Sequence, residues 1–112
     1  MFASGFQIAQ SRPSGTSATS VYTASMRTEI TRIVVANTTG SAANYSLYHD
    51  DDGSTFDQTT ALYYTVSLAA NTSVELIGAA AGLFVSKSGQ IAVQTGTGSA
   101  LTFTIYGVTE TR

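Results

Sequence analysis

The sequence predicts an all-β protein, a single antiparallel β-sandwich domain of about eight short strands, with a jelly roll as the favoured arrangement. The chain has 112 residues, the usual size of one domain. Thr occurs 18 times, and its branched Cβ atom favours strands. Short apolar segments alternate with turn signals, and no segment has helical periodicity. An immunoglobulin-like sandwich is the alternative, without its usual Cys and Trp core because the chain has neither residue.

The N-terminal segment differs in composition from the rest of the chain. Its apolar residues occur singly among Ser, Gly, Gln and Thr, at Phe2, Phe6 and Ile8. We therefore predict an extended arm over residues 1–19 and a sandwich domain over residues 20–112. If the arm docks on a neighbouring subunit, these three apolar side chains are its anchors. A frayed terminus is the alternative interpretation.

The predicted strands are short apolar or alternating segments separated by clusters of Asn, Asp, Gly and Ser. They span residues 21–23, 29–37, 44–49, 62–68, 74–77, 83–85, 91–93 and 101–107. Strict alternation over 62–68 predicts that Tyr64 faces the core and that Tyr63 faces outward. Tyr106 also falls on the hydroxyl-rich side of its strand. Tyr63 and Tyr106 are therefore candidate interface residues, with ordinary cross-strand pairing as the alternative.

The charge content argues against several classes of function. Only 11% of the residues are charged, against about 25% in typical globular proteins, and the net charge is −2. Five cationic residues do not make the basic patch that nucleic-acid binding requires. No segment reaches the roughly 20 apolar residues of a membrane span, and the first ten residues lack signal-peptide features. A weakly charged, hydroxyl-rich surface indicates a protein that is assembled with others, or one that faces a salty exterior.

An acidic turn is the strongest candidate for metal binding. Clustered carboxylates beside Gly53 are typical of calcium loops. With Gly53 at the glycine position of an EF-hand, however, the first ligand position is Tyr48 and the twelfth is Thr59, so the EF-hand pattern fails. A looser metal site remains a weak candidate. Its ligands are Asp50, Asp52 and Asp57. The alternative is a turn whose Asp side chains cap backbone N–H groups, and we expect no cofactor.

The sequence contains no convincing catalytic constellation. His49 lies beside the acidic turn, as in half of a catalytic triad, but no G-x-S-x-G motif marks a nucleophile. The glycine-rich segment 96–99 lacks the Walker lysine and precedes a strand. The acidic residues crowd one loop instead of facing each other across a cleft, as a glycosidase requires. We therefore expect that the protein is not an enzyme.

Three segments resemble small β-rich virion proteins encoded in the structural modules of tailed bacteriophages. They are TEITRIVVANTTG at 28–40, YHDDDG at 48–53 and LTFTIYG at 101–107. The resemblance implies a virion component displayed on a capsid or tail. We expect a capsid decoration (cement) protein that stabilises the head by binding the major capsid protein or other virion proteins across shell subunits. We also expect a homo-oligomer such as a trimer, and the charge and hydropathy of the chain predict neither nucleic acid nor membrane as partner. The alternative is a tail- or fibre-associated module that binds glycans or a receptor through exposed tyrosines and the 49–57 loop.

Overall fold

The structure is a computed structural model that describes residues 6–77 and 83–109. In these ranges the chain has no helix and forms nine strands, all paired antiparallel. Their bounds are β1 Phe6–Ser11, β2 Thr19–Thr23, β3 Thr28–Asn37, β4 Ala43–Asp50, β5 Ala61–Leu68, β6 Ser73–Leu76, β7 Leu83–Val85, β8 Gln90–Thr95 and β9 Leu101–Thr109. The described residues accordingly include no helix long and apolar enough to cross a membrane.

The strands form two sheets. One has the order β1-β9-β3-β6 and also contains β7, which pairs with β3. The second has the order β2-β8-β4-β5. Within the first sheet, β7 pairs with residues 28–30 of β3 and β6 pairs with residues 33–36. Since β6 and β7 lie along successive parts of the same edge, together they occupy one position in the sheet.

The core lies between the two sheets and receives alternate side chains from both. Ile33 and Val35 of β3 contribute fully buried side chains from the first sheet, and Leu47 of β4 contributes one from the second. Burial of one such side chain stabilises the fold by about 1.5–3 kcal/mol. Other members of the same cluster are Ile30, Tyr45, Leu76, Val85, Ile91, Val93, Leu101, Phe103 and Ile105. The predicted all-β sandwich is confirmed at this level, and all eight predicted strands occur.

The N-terminal segment differs from the predicted arm. Residues 6–11 form β1, which pairs with β9 as an edge strand of the five-stranded sheet. The connection that follows is also bound to the domain, because Pro13 O accepts the Ser99 N–H at 2.8 Å and Thr16 O accepts from Gln94 at 3.0 Å. The physical reason is that β9 offers a second unpaired edge, and a strand there satisfies its backbone groups. Phe2 lies outside the described residues.

Strand β5 differs from the predicted alternation because two β-bulges shift its phase. Tyr45 pairs with Val66, but Leu47 pairs with Tyr63, so β5 has one extra residue between these pairs. A second irregularity follows at Leu62. The prediction that Tyr64 joins the core and Tyr63 faces outward is therefore wrong. Tyr63 packs against the core, whereas Tyr64 is 50% exposed.

Candidate functional site

The acidic turn is held by hydrogen bonds from its own backbone. Asp50, at the end of β4, accepts the Thr55 N–H at 2.7 Å on one carboxylate oxygen and the Asp52 N–H at 3.2 Å on the other. The Thr55 hydrogen bond is the main reason that the pKa of Asp50 lies below its usual value. Asp50 is buried, so its carboxylate organises the loop from inside.

Asp51 connects this turn to the turn between β7 and β8. Its Oδ1 atom accepts the Ser86 N–H at 2.8 Å and lies 3.0 Å from His49 Nε2. The hydrogen bonds from Ser86 lower the pKa of Asp51, with a smaller contribution from His49. The His49 and Asp51 side chains thus join two loops, and no described hydroxyl group hydrogen-bonds to the imidazole as a nucleophile would.

The three predicted metal ligands are not brought together. Asp57 accepts the Thr59 N–H at 2.9 Å and the Thr59 hydroxyl, and these bonds lower its pKa. Among the residues that the structure describes, no three His, Cys, Asp or Glu side chains form a group able to hold a metal ion. The geometry of Asp50 and Asp57 matches the alternative interpretation of a capped turn.

The predicted interface residues have different environments. Phe6 is 55% exposed on β1, whereas Ile8 packs partly against the core of its own domain. Tyr63 packs 6.4 Å from Tyr45 between ring centroids. Tyr106 is half-buried on the outer face of the five-stranded sheet, beneath the guanidinium of Arg32. Among the predicted interface residues that the structure describes, only Phe6 exposes most of a large apolar side chain to solvent.

Three exposed apolar side chains were not predicted, those of Leu62, Tyr64 and Phe84. Leu62 is 43% exposed and Tyr64 is 50% exposed, both on β5 at the edge of the four-stranded sheet. The bulges place the Leu62 and Tyr64 side chains outward, although the apolar alternation over residues 62–68 predicts that both are buried. No local sequence signal distinguishes a bulged strand of this kind from a regular one.

The five-stranded sheet carries a second cluster on its outer face, which we call the arginine–aromatic face. It comprises Arg27, Glu29, Arg32, Phe84, Tyr106 and Val108. The Arg27 guanidinium lies 4.4 Å from the ring centroid of Phe84, and the Arg32 guanidinium lies 4.7 Å from that of Tyr106. Arg32 is also 3.8 Å from Glu75. A cleft of 230 Å³ is lined by Arg27, Glu29, Phe84, Val108 and Thr109.

Another arginine has a structural role. Arg12 donates to the hydroxyls of Thr38 and Thr102 and to the carbonyl of Ser99, at distances of 2.6–3.2 Å. These bonds fix the end of β1 against β9 and the adjacent loops. Three of the five N–H groups of Arg12 are thus engaged within the domain.

The edges of both sheets are unsuited to pairing with another chain. Register shifts interrupt the edge strands β1, β2 and β5. The remaining edge consists of β6 with four residues and β7 with three. Bulged or very short edge strands hinder the addition of a further strand. Contacts with partners are therefore expected through side chains on the faces of the sandwich.

Comparisons with known proteins provide no further assignment. No protein-family model matches the sequence, and no curated protein matches it.

Proposed function

We propose that the protein is a structural component of a bacteriophage virion, a capsid decoration protein that stabilises the head by binding across shell subunits. The observation that carries this proposal is the strand order. When β6 and β7 are counted as one strand, so that β8 and β9 become the seventh and eighth, the sheets read 1-8-3-6 and 2-7-4-5, an order that supports a jelly-roll arrangement. Jelly rolls are common in viral capsid proteins. Fold alone does not assign function, so the surface must supply the contact.

The exposed pair Leu62 and Tyr64 is the contact that we assign to the capsid shell. Both are apolar side chains on an edge strand whose bulges hold them outward. Aromatic side chains near the centre of an interface contribute strongly to binding. A contact this small is weak by itself, but many copies on an ordered lattice, linked as a homo-oligomer such as a trimer, add by multivalency.

The N-terminal segment has a different role in this proposal from the predicted anchoring arm. Residues 6–11 pair with β9, and Ile8 packs on the core of its own domain. The proposal therefore places binding on the faces of the sandwich, with Phe6 as an additional contact at the edge of the first sheet.

The experiment is an occupancy assay on purified particles whose structural genes encode this chain. Particles lacking the chain are incubated with labelled protein, sedimented and imaged by cryo-electron microscopy. We expect density on the outer surface of the head, in contact with the major capsid protein. Replacing both Leu62 and Tyr64 by Ser should reduce occupancy at least about tenfold, while Thr102→Ala on the opposite face should not change it.

Density at the tail or fibre would instead support the alternative of a tail-associated module. Absence of the chain from every part of the particle would overturn the proposal. Normal occupancy by the double Ser variant would show that the exposed pair is not the contact.

A further inference from the structure

We propose that the arginine–aromatic face binds neutral glycan chains. This face belongs to the five-stranded sheet, whereas Leu62 and Tyr64, assigned above to the shell, belong to β5 of the four-stranded sheet. The inference does not depend on the capsid proposal, since it uses different residues.

The strand register aligns three side chains of this face in one row across the sheet. Phe84 of β7 pairs directly with Glu29 of β3, and Glu29 pairs on its other side with Val108 of β9. Three adjacent strands span about 10 Å across the row. Arg27 lines the 230 Å³ cleft beside this row. Rings and polar groups are thus placed side by side on rigid strands.

The hydrogen-bonding groups of the cleft suit a ligand whose groups both donate and accept. The guanidinium of Arg27 only donates and the carboxylate of Glu29 only accepts. Sugar hydroxyls match both. An anionic ligand would be repelled by Glu29 and a cationic ligand by Arg27, so the geometry favours a neutral saccharide.

Apolar side chains supply the surface that a sugar ring requires. Phe84 is 50% exposed, and Val108 lies in the same row on the far side of Glu29. The C–H groups of a pyranose pack against such apolar surface while its hydroxyls reach polar neighbours. The contacts of Arg27 with Phe84 and of Arg32 with Tyr106 hold both guanidinium groups in place before a ligand arrives.

A protein partner fits this face less well. The centre of a protein–protein interface is depleted of Glu and Asp, although Arg and aromatic side chains are enriched there. Here a carboxylate accompanies each arginine–aromatic pair, because Glu29 pairs with Phe84 in the strand register and Glu75 lies 3.8 Å from Arg32. A mixture of charged and aromatic side chains is instead typical of sites that bind small polar ligands.

The test is affinity electrophoresis of the full chain in gels containing single polysaccharides. The neutral probes are dextran, xylan, glucomannan and galactan; the anionic probes are polygalacturonate and alginate. We expect retardation by at least one neutral polysaccharide, with the dissociation constant of its oligosaccharide then measured by titration calorimetry. Phe84→Ala and Tyr106→Ala should each weaken binding about tenfold or more.

The matched control is Tyr64→Ala, which removes an equally exposed aromatic ring from the other sheet. It should leave glycan binding unchanged, and thermal unfolding should show that all three variants are folded. No retardation by any neutral probe overturns the proposal, as does retardation by the anionic probes alone. Binding that depends on Tyr64 but not on Phe84 also overturns it, because the site would then lie on the other sheet.

Discussion

The ring of Tyr63 packs 6.4 Å from the ring of Tyr45, so that two tyrosines of adjacent strands meet on the core side of the four-stranded sheet. This contact depends on a bulge, since Thr65 has a φ of 52° and donates its N–H to Ser46 Oγ at 2.9 Å. Without the bulge Tyr63 would face solvent. The next residue, Tyr64, is exposed instead.

Replacement of Tyr63 by Ala should therefore destabilise the protein, by about 1–3 kcal/mol, because it removes a large side chain packed on the core. Tyr64→Ala should change the free energy of unfolding by less than about 0.5 kcal/mol, as is usual for exposed sites. Urea unfolding of the two variants measures this difference. Equal effects from both substitutions would contradict the assignment of Tyr63 to the core side of β5 and of Tyr64 to its solvent side.

Removal of residues 1–11 should strongly destabilise the protein, because it deletes β1 and exposes the edge of β9. We expect a lower unfolding midpoint, increased aggregation, or both. The control is Gln10→Ala, which removes only an exposed side-chain hydrogen bond to Thr104. If the truncated chain were as stable as the intact one, β1 would contribute nothing to the domain.

Acid should destabilise the acidic turn. Hydrogen bonds lower the pKa of Asp50, Asp51 and Asp57 in the folded state. Stability from these groups is therefore fully present above the usual Asp pKa of about 3.9, and it is lost as the pH falls through the lower folded values. Thermal unfolding followed from pH 6 to pH 2 measures this dependence. Asp50→Asn should lower stability at pH 6 and weaken the dependence of stability on pH. If the stability of the variant fell with pH as steeply as that of the unmodified protein, Asp50 would not be the source of that dependence.

A single buried amide connects the end of β3 to the loop that follows it and to the end of β5, and its removal should be costly. Asn37 Nδ2 donates to the carbonyls of Ser41 and Leu68, while Oδ1 accepts from the Thr39 N–H and hydroxyl. Asn37→Ala leaves several of these groups without partners, so we expect a loss of about 2–4 kcal/mol. Equilibrium unfolding checks the value. Ser73→Ala, at an exposed neighbouring position, is the control and should have little effect.

Close backbone packing at one glycine should make it intolerant of any side chain. A Cβ atom at Gly107 would lie 2.7 Å from the carbonyl oxygen of Glu29 on the neighbouring strand. Gly107→Ala should therefore force β9 away from β3 and lower the melting temperature by several degrees. Gly40→Ala meets open space and serves as the matched control. Melting curves that coincide for the two variants would contradict this close approach.

The sequence by itself determined the fold class and the positions of eight strands, because apolar alternation and turn residues are local signals that each strand carries. It also supported the structural interpretation of the acidic turn, since Asp and Gly there satisfy nearby backbone groups. It did not reveal β1, whose single apolar residues become a strand only when the edge of β9 is available.

Tertiary structure alone decided which tyrosine faces the core and which residues meet on each outer face. The bulges in β5 depend on its pairing with β4, so no periodicity in residues 61–68 predicts them. The row of Phe84, Glu29 and Val108 joins positions separated by up to 79 residues in the chain. Its chemistry exists only because three strands align in register, which is a property of the assembled sheet and not of any single segment.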